Sequence, residues 1–137
     1  MKIPSALAAL GLAVFALPAF AQGASCDDET DTAATVACLD TYWQRETART
    51  DLLMERLSAL IAPQDESYVE DAPNGAARLA ASAIAWEASR DADCALAGYA
   101  MAGGSWEAVI TAACLGTQQA SRNGWLEGRI AQFEMAE

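Results

Sequence analysis

Residues 76–97 read AARLAASAIAWEASRDADCALA, and this stretch decides the fold. Leu79, Ala83, Trp86, Arg90, Cys94 and Ala97 fall three or four residues apart, the repeat of a helix with one face turned inward. The alanines between them favour helix and let neighbouring helices approach closely. Upstream, Val36, Leu39, Trp43, Leu53, Leu57 and Leu60 keep the same period. They predict a long first helix that starts near Thr32, is capped by Asp31 or Thr32 and is ended by Pro63. Between Pro63 and Gly75 the chain carries Pro73, Asn74 and four carboxylates (Asp65, Glu66, Glu70 and Asp71), which predicts an exposed acidic loop. Downstream, Gly98 and Gly103-Gly104 bracket a short connection. Ser105 is placed to cap a third helix, with Glu107 near its positive end. Trp106, Val109, Ile110, Ala113 and Thr117, then Leu126, Ile130 and Phe133, form its expected buried stripe, and Asn123-Gly124 is expected to break or bend it. No stretch alternates as a strand would. The expected fold is all-α, a small antiparallel bundle of about three helices.

The chain begins Met1-Lys2-Ile3-Pro4-Ser5 and continues as an uncharged run from Ala6 to Phe20. Ala19-Phe20-Ala21 closes the run with the small-x-small pattern of signal-peptidase sites, so residues 1–21 are expected to be an export signal cut before Gln22. The run is shorter than the roughly 20 residues a membrane-crossing helix needs. Gly23-Ala24-Ser25 before Cys26 lacks the large aliphatic residue of a lipidation site. The mature domain is therefore expected to span residues 22–137, without a membrane anchor, in the periplasm or outside the cell.

The full chain of 137 residues has a formal net charge of −11 and no histidine. Its one lysine, Lys2, lies in the signal, which leaves seven arginines against 19 carboxylates. So negative a field disfavours nucleic acid and favours a basic protein partner. Cys26, Cys38, Cys94 and Cys114 are an even set in a small exported chain, the mark of a disulfide framework. Four cysteines allow three pairings; the intervals suggest Cys26–Cys38 and Cys94–Cys114, each closing a short loop. With no histidine and no Cys-x-x-Cys, neither a metal site nor a nucleophile–base pair is expected, nor any cofactor. The carboxylate pairs sit in loop-like stretches with nothing to raise a pKa for acid catalysis. The expectation is a domain that binds rather than catalyses.

Trp86, Arg90 and Cys94 are four residues apart and stack along one helix face. Arg90 is placed to cover Trp86 and to pair with Asp91, Asp93 or a carboxylate of another helix. Trp86 to Cys94 is similar to the W-x-x-x-R-D-x-x-C signature of the LprI-like lysozyme inhibitors. Gly104-Ser105 follows in the expected place, Cys114, Thr117, Arg122 and Leu126 resemble the closing pattern, and Cys26 and Cys38 resemble the paired N-terminal cysteines. The chain has Ala83 where the family usually has glutamine, and the family's Leu-Asn-x-x-Tyr element is not recognisable around Asp51-Leu52-Leu53-Met54. Trp86, Arg90, Asp91, Gly104, Ser105, Thr117 and Arg122 are thereby implied as structural positions.

The resemblance implies a domain that blocks the cleft of a lysozyme, a commonly basic enzyme. The expected contact residues are Tyr99, Met101, Ser105 and Trp106 around Gly103-Gly104, or the carboxylates Asp65, Glu66, Glu70 and Asp71. The other reading is an envelope adaptor or structural domain that holds another periplasmic protein and inhibits nothing.

Overall fold

The computed structural model describes residues 25–27, 29, 31–67 and 74–136. The expected export signal with its expected cleavage site, Glu70 and Asp71 lie outside the described residues. Three helices follow in order: α1 (Thr32–Ser67), α2 (Gly75–Tyr99) and α3 (Trp106–Glu134). Among the described residues there is no strand, and no helix is long and apolar enough to cross a membrane.

The side-chain bonds give the topology. Arg49 pairs with Glu127 and Arg56 with Glu134, both 78 residues apart, while Asn123 bonds Glu46 across 77. A nearly constant offset means that α1 and α3 run parallel. Across α2 and α3 the numbers instead rise on one helix as they fall on the other: Ser82 meets Arg122, Arg90 meets Gln119, Cys94 meets Cys114. The bundle is thus up–down–up, with α2 antiparallel to both neighbours. The disulfides pair Cys26–Cys38 and Cys94–Cys114, as the intervals suggested.

Asp31 caps α1 by accepting from the Ala34 N–H at 2.8 Å. Pro63 does not end that helix, which runs four residues further to Ser67. Proline's fixed φ suits a helix, and its missing N–H frees a carbonyl only at exposed Ala59 in the last turns, where water can reach it. Asp65, expected in a loop, lies inside this last turn and accepts from the N–H groups of Gly75 (2.5 Å) and Ala76 (3.0 Å). Asn74 accepts from Ala77 N–H at 2.7 Å, so the start of α2 is capped from two sides. Ser105 occupies the N-cap position of α3 without a side-chain cap bond; the Glu107 carboxylate instead turns back to the Gly103 N–H at 2.9 Å.

The inward face of α3 is Val109, Ala112, Gly116, Gln119, Asn123, Leu126 and Ile130. Trp106 and Thr117, expected in the buried stripe, are exposed, because the stripe lies on the neighbouring register. Asn123-Gly124 leaves α3 unbroken, since Asn123 is spent on bonds to α1 and Gly124 has open space around it. Gly116 lets α3 approach α1 closely: a Cβ there would stand 2.5 Å from the Tyr42 ring. Two apolar clusters result. Leu57, Ile61, Leu79, Leu126 and Ile130 fill one end, and Cys26, Leu39, Val109 and Ala112 fill the other. The layer between them is polar.

Candidate functional site

That middle layer is a directed chain of hydrogen bonds through all three helices. Arg90 Nη1 donates to Gln119 Oε1 (2.7 Å), and Gln119 Nε2 donates to Thr50 Oγ1 (2.5 Å). Thr50 Oγ1 lies 2.6 Å from Asn123 Oδ1 and 3.0 Å from the Glu46 carbonyl, and its single hydrogen serves one of them at a time. Asn123 Nδ2 donates to Glu46 Oε2 (3.0 Å) and to the Glu46 carbonyl (2.9 Å). The chain begins at a guanidinium and ends at a buried carboxylate, so every member is polarised in one direction. Arg45 meets Glu46 from the solvent side at 3.3 Å. Burial raises the Tyr42 phenol above its ordinary value; the Glu46 carboxylate adds to this and Arg45 opposes it. The arrangement fixes register.

A second device lies beside it. Arg90 is 5.9 Å from the Trp43 ring and 5.0 Å from Trp86; Arg122 is 5.4 Å from Trp86 and 4.2 Å from Trp125; Arg129 is 5.3 Å from Trp125. Arginine and tryptophan therefore alternate along the bundle as a ladder of cation–π contacts. Arg90 also pairs with Asp91 at 2.7 Å, as expected, whereas Asp93 accepts from Ser89. Arg122 is only 8 % exposed and donates to Ser82 Oγ at 3.0 Å; burial lowers its pKa, with Glu87 opposing. The family-type residues Trp86, Arg90, Asp91, Cys94 and Arg122 thus form one connected unit, while Thr117 is exposed and outside it.

At the far end, the α2–α3 hairpin presents Tyr99, Met101 and Trp106 to solvent at 71, 51 and 57 % exposure. Its backbone is tied by Met101 N–H to the Gly98 carbonyl (2.9 Å), Ala102 to Tyr99 (3.1 Å) and Gly104 to Met101 (3.0 Å). Gly103 takes φ +79°, a conformation that other residues rarely adopt. The Cys94–Cys114 bridge straps the hairpin behind its tip. Beside the tip a shallow groove of about 430 Å³ is lined by Gly104, Asp40 and Glu107, among others. From 25 to 44 and from 91 to 121 the chain has no basic residue but eight acidic ones. The described parts of these segments run from the middle layer to the tip, so that half of the bundle carries the denser negative charge.

The family model for the lysozyme inhibitor LprI matches residues 26–126, a span that holds all four cysteines and the Trp86–Arg90–Asp91–Cys94 unit. The chain belongs to the LprI lysozyme inhibitor family. No curated protein and no solved structure matches it. In this LprI domain the sequence-predicted contact residues separate into distinct places. Tyr99, Met101, Ser105 and Trp106 come together on the tip, whereas Asp65 is committed to capping α2 at the opposite end and Glu66 is exposed there. Sequence reasoning missed Glu46, Thr50, Gln119 and Asn123. The signal was available: in α3, Gln119 and Asn123 continue the three-and-four spacing of Val109, Ala112 and Gly116 into Leu126 and Ile130.

Proposed function

We propose that this LprI-family domain is an exported, non-enzymatic inhibitor that binds a basic lysozyme and blocks its cleft with the α2–α3 tip. The observation that carries the proposal is the exposed Tyr99–Met101–Trp106 tip, held rigid by its own backbone bonds and set in the more acidic half of the bundle. Exposed aromatic residues on a preorganised support are the usual anchors of tight interfaces, because little ordering entropy remains to be lost on binding. The surrounding carboxylates, with no arginine among them, attract a cationic enzyme and speed its encounter. Such a blocker needs no catalytic group of its own. The export signal of residues 1–21 would deliver it to the bacterial envelope or beyond, where the disulfides persist.

The test is clearance of a peptidoglycan suspension by a panel of basic lysozymes with increasing amounts of the mature domain. Inhibition is expected to saturate at one domain per enzyme and to set in more slowly as salt rises. Undiminished lysis by every enzyme, with the domain in large excess, would refute the reading.

A further inference from the structure

The other end of the bundle carries a feature that lysozyme blocking does not use. Between the end of α1, the start of α2 and the end of α3 lies an open groove of about 530 Å³, inside the roughly 300–1,000 Å³ of small-molecule sites. Its lining is mostly apolar, with Leu57, Ile61, Phe133 and the Trp125 indole; its charged members are Arg78, Arg129 and Asp65, whose carboxylate is spent on the Gly75 and Ala76 N–H groups. Trp125 is held between the guanidinium groups of Arg122 and Arg129. The arginines of α1 all meet carboxylates: Arg45 with Glu46, Arg49 with Glu127, Arg56 with Glu134. Arg122 and Arg129 make no ion pair among the described residues, although Glu87 acts on Arg122 from further off, in a chain whose formal charge is −11. In this lining two arginines stand against one carboxylate, the reverse of the balance over the whole chain.

We infer that this groove binds a single-chain amphiphile with an anionic head, the chain lying on Leu57, Ile61 and Phe133 and the carboxylate facing Arg129. An acyl chain covers apolar surface that water otherwise wets. The guanidinium, braced on Trp125, offers paired donors to a carboxylate. Arg122, behind the Trp125 indole and bonded to Ser82, adds its field without leaving its buried position. The groove lies at the opposite end from the tip, so this binding stands or falls independently of lysozyme inhibition.

Monomeric decanoate and 1-decanol, titrated calorimetrically into the mature domain, separate head recognition from burial of the chain. Decanoate is expected to bind saturably, one per domain, with a change in tryptophan fluorescence, and more tightly than decanol. Arg129→Gln, an exposed change, is expected to weaken decanoate about tenfold, to leave decanol unaffected and to preserve both the helical circular dichroism and any lysozyme inhibition. Phe133→Ala is expected to weaken both ligands. No saturable decanoate binding up to about 1 mM, equal affinity for decanol, or an unchanged Arg129→Gln variant would each overturn the inference. Binding to phosphatidylglycerol vesicles with none to monomeric decanoate would overturn it as well.

Discussion

Replacing Asn123 with alanine cuts the hydrogen-bond chain at its most enclosed link. Asn123 is 2 % exposed; it donates to the Glu46 carboxylate and carbonyl and accepts from Thr50. Losing a bond to a charged acceptor costs about 1.5–3 kcal/mol, and stranding the neutral partners adds about 1 kcal/mol. Glu46 would keep only Arg45, 3.3 Å away on the solvent side. The variant is therefore expected to lose about 2.5–4 kcal/mol, a large share of the 5–15 kcal/mol typical of a domain. The midpoint of thermal unfolding should fall by roughly 10–16 °C for a domain of this size. Urea unfolding followed by far-UV circular dichroism gives the free energy directly. The double change Glu46→Leu with Asn123→Leu removes both partners, so it should cost clearly less than the two single changes summed. A loss below about 1 kcal/mol in Asn123→Ala, or additivity in the double variant, would refute the view that this layer fixes the bundle.

Three further outcomes follow from other contacts. Gly116→Ala would bring a methyl within 2.5 Å of the Tyr42 ring and is expected to cost about 1–3 kcal/mol, with stability recovered when Tyr42→Leu is added; thermal melts of the three variants check this. Because the Tyr42 pKa is raised in the folded state, its contribution is fully present below the ordinary value of 10.0 and is lost as pH climbs through the raised value. Tyr42→Phe should therefore flatten the alkaline fall in stability measured across that range. Removing the Cys94–Cys114 bridge, whose ends are 20 positions apart, should cost about 3 kcal/mol. It should also weaken lysozyme binding more than removing Cys26–Cys38 does, since only the former braces the tip; paired melts and titrations decide.

Three helices are legible in three separate apolar stripes, and the cysteine intervals suggest the staples without fixing them, because helical period and interval are local properties. Pro63 misled because the rule that proline ends helices assumes a buried lost bond, and here the freed carbonyl is at exposed Ala59 in the last turns. Asn123-Gly124 misled for the opposite reason. Asn123 is a poor helix former in isolation, yet its bonds to Glu46 come from a helix 77 residues away, a term that no local propensity contains. The ladder was half legible: Trp86 and Arg90 are neighbours on one helix, but Arg122 joins them only after α3 is packed in place. The tip residues Tyr99, Met101 and Trp106 were singled out from their position between helices. Their exposure, which separates a contact surface from a core plug, depends on the register of α3, and that register became visible only in three dimensions.

The most direct test of the central claim is titration of a basic lysozyme with the intact domain and with Trp106→Ala, reading both the dissociation constant and inhibition of lysis. Trp106 is 57 % exposed, so its removal leaves the fold intact. As a central anchor it should cost at least 2 kcal/mol of binding, or roughly thirtyfold in affinity. A variant that folds normally, binds lysozyme at least about thirtyfold more weakly and loses inhibition in proportion is the predicted result. A Trp106→Ala domain that binds and inhibits as the intact protein does would contradict the account.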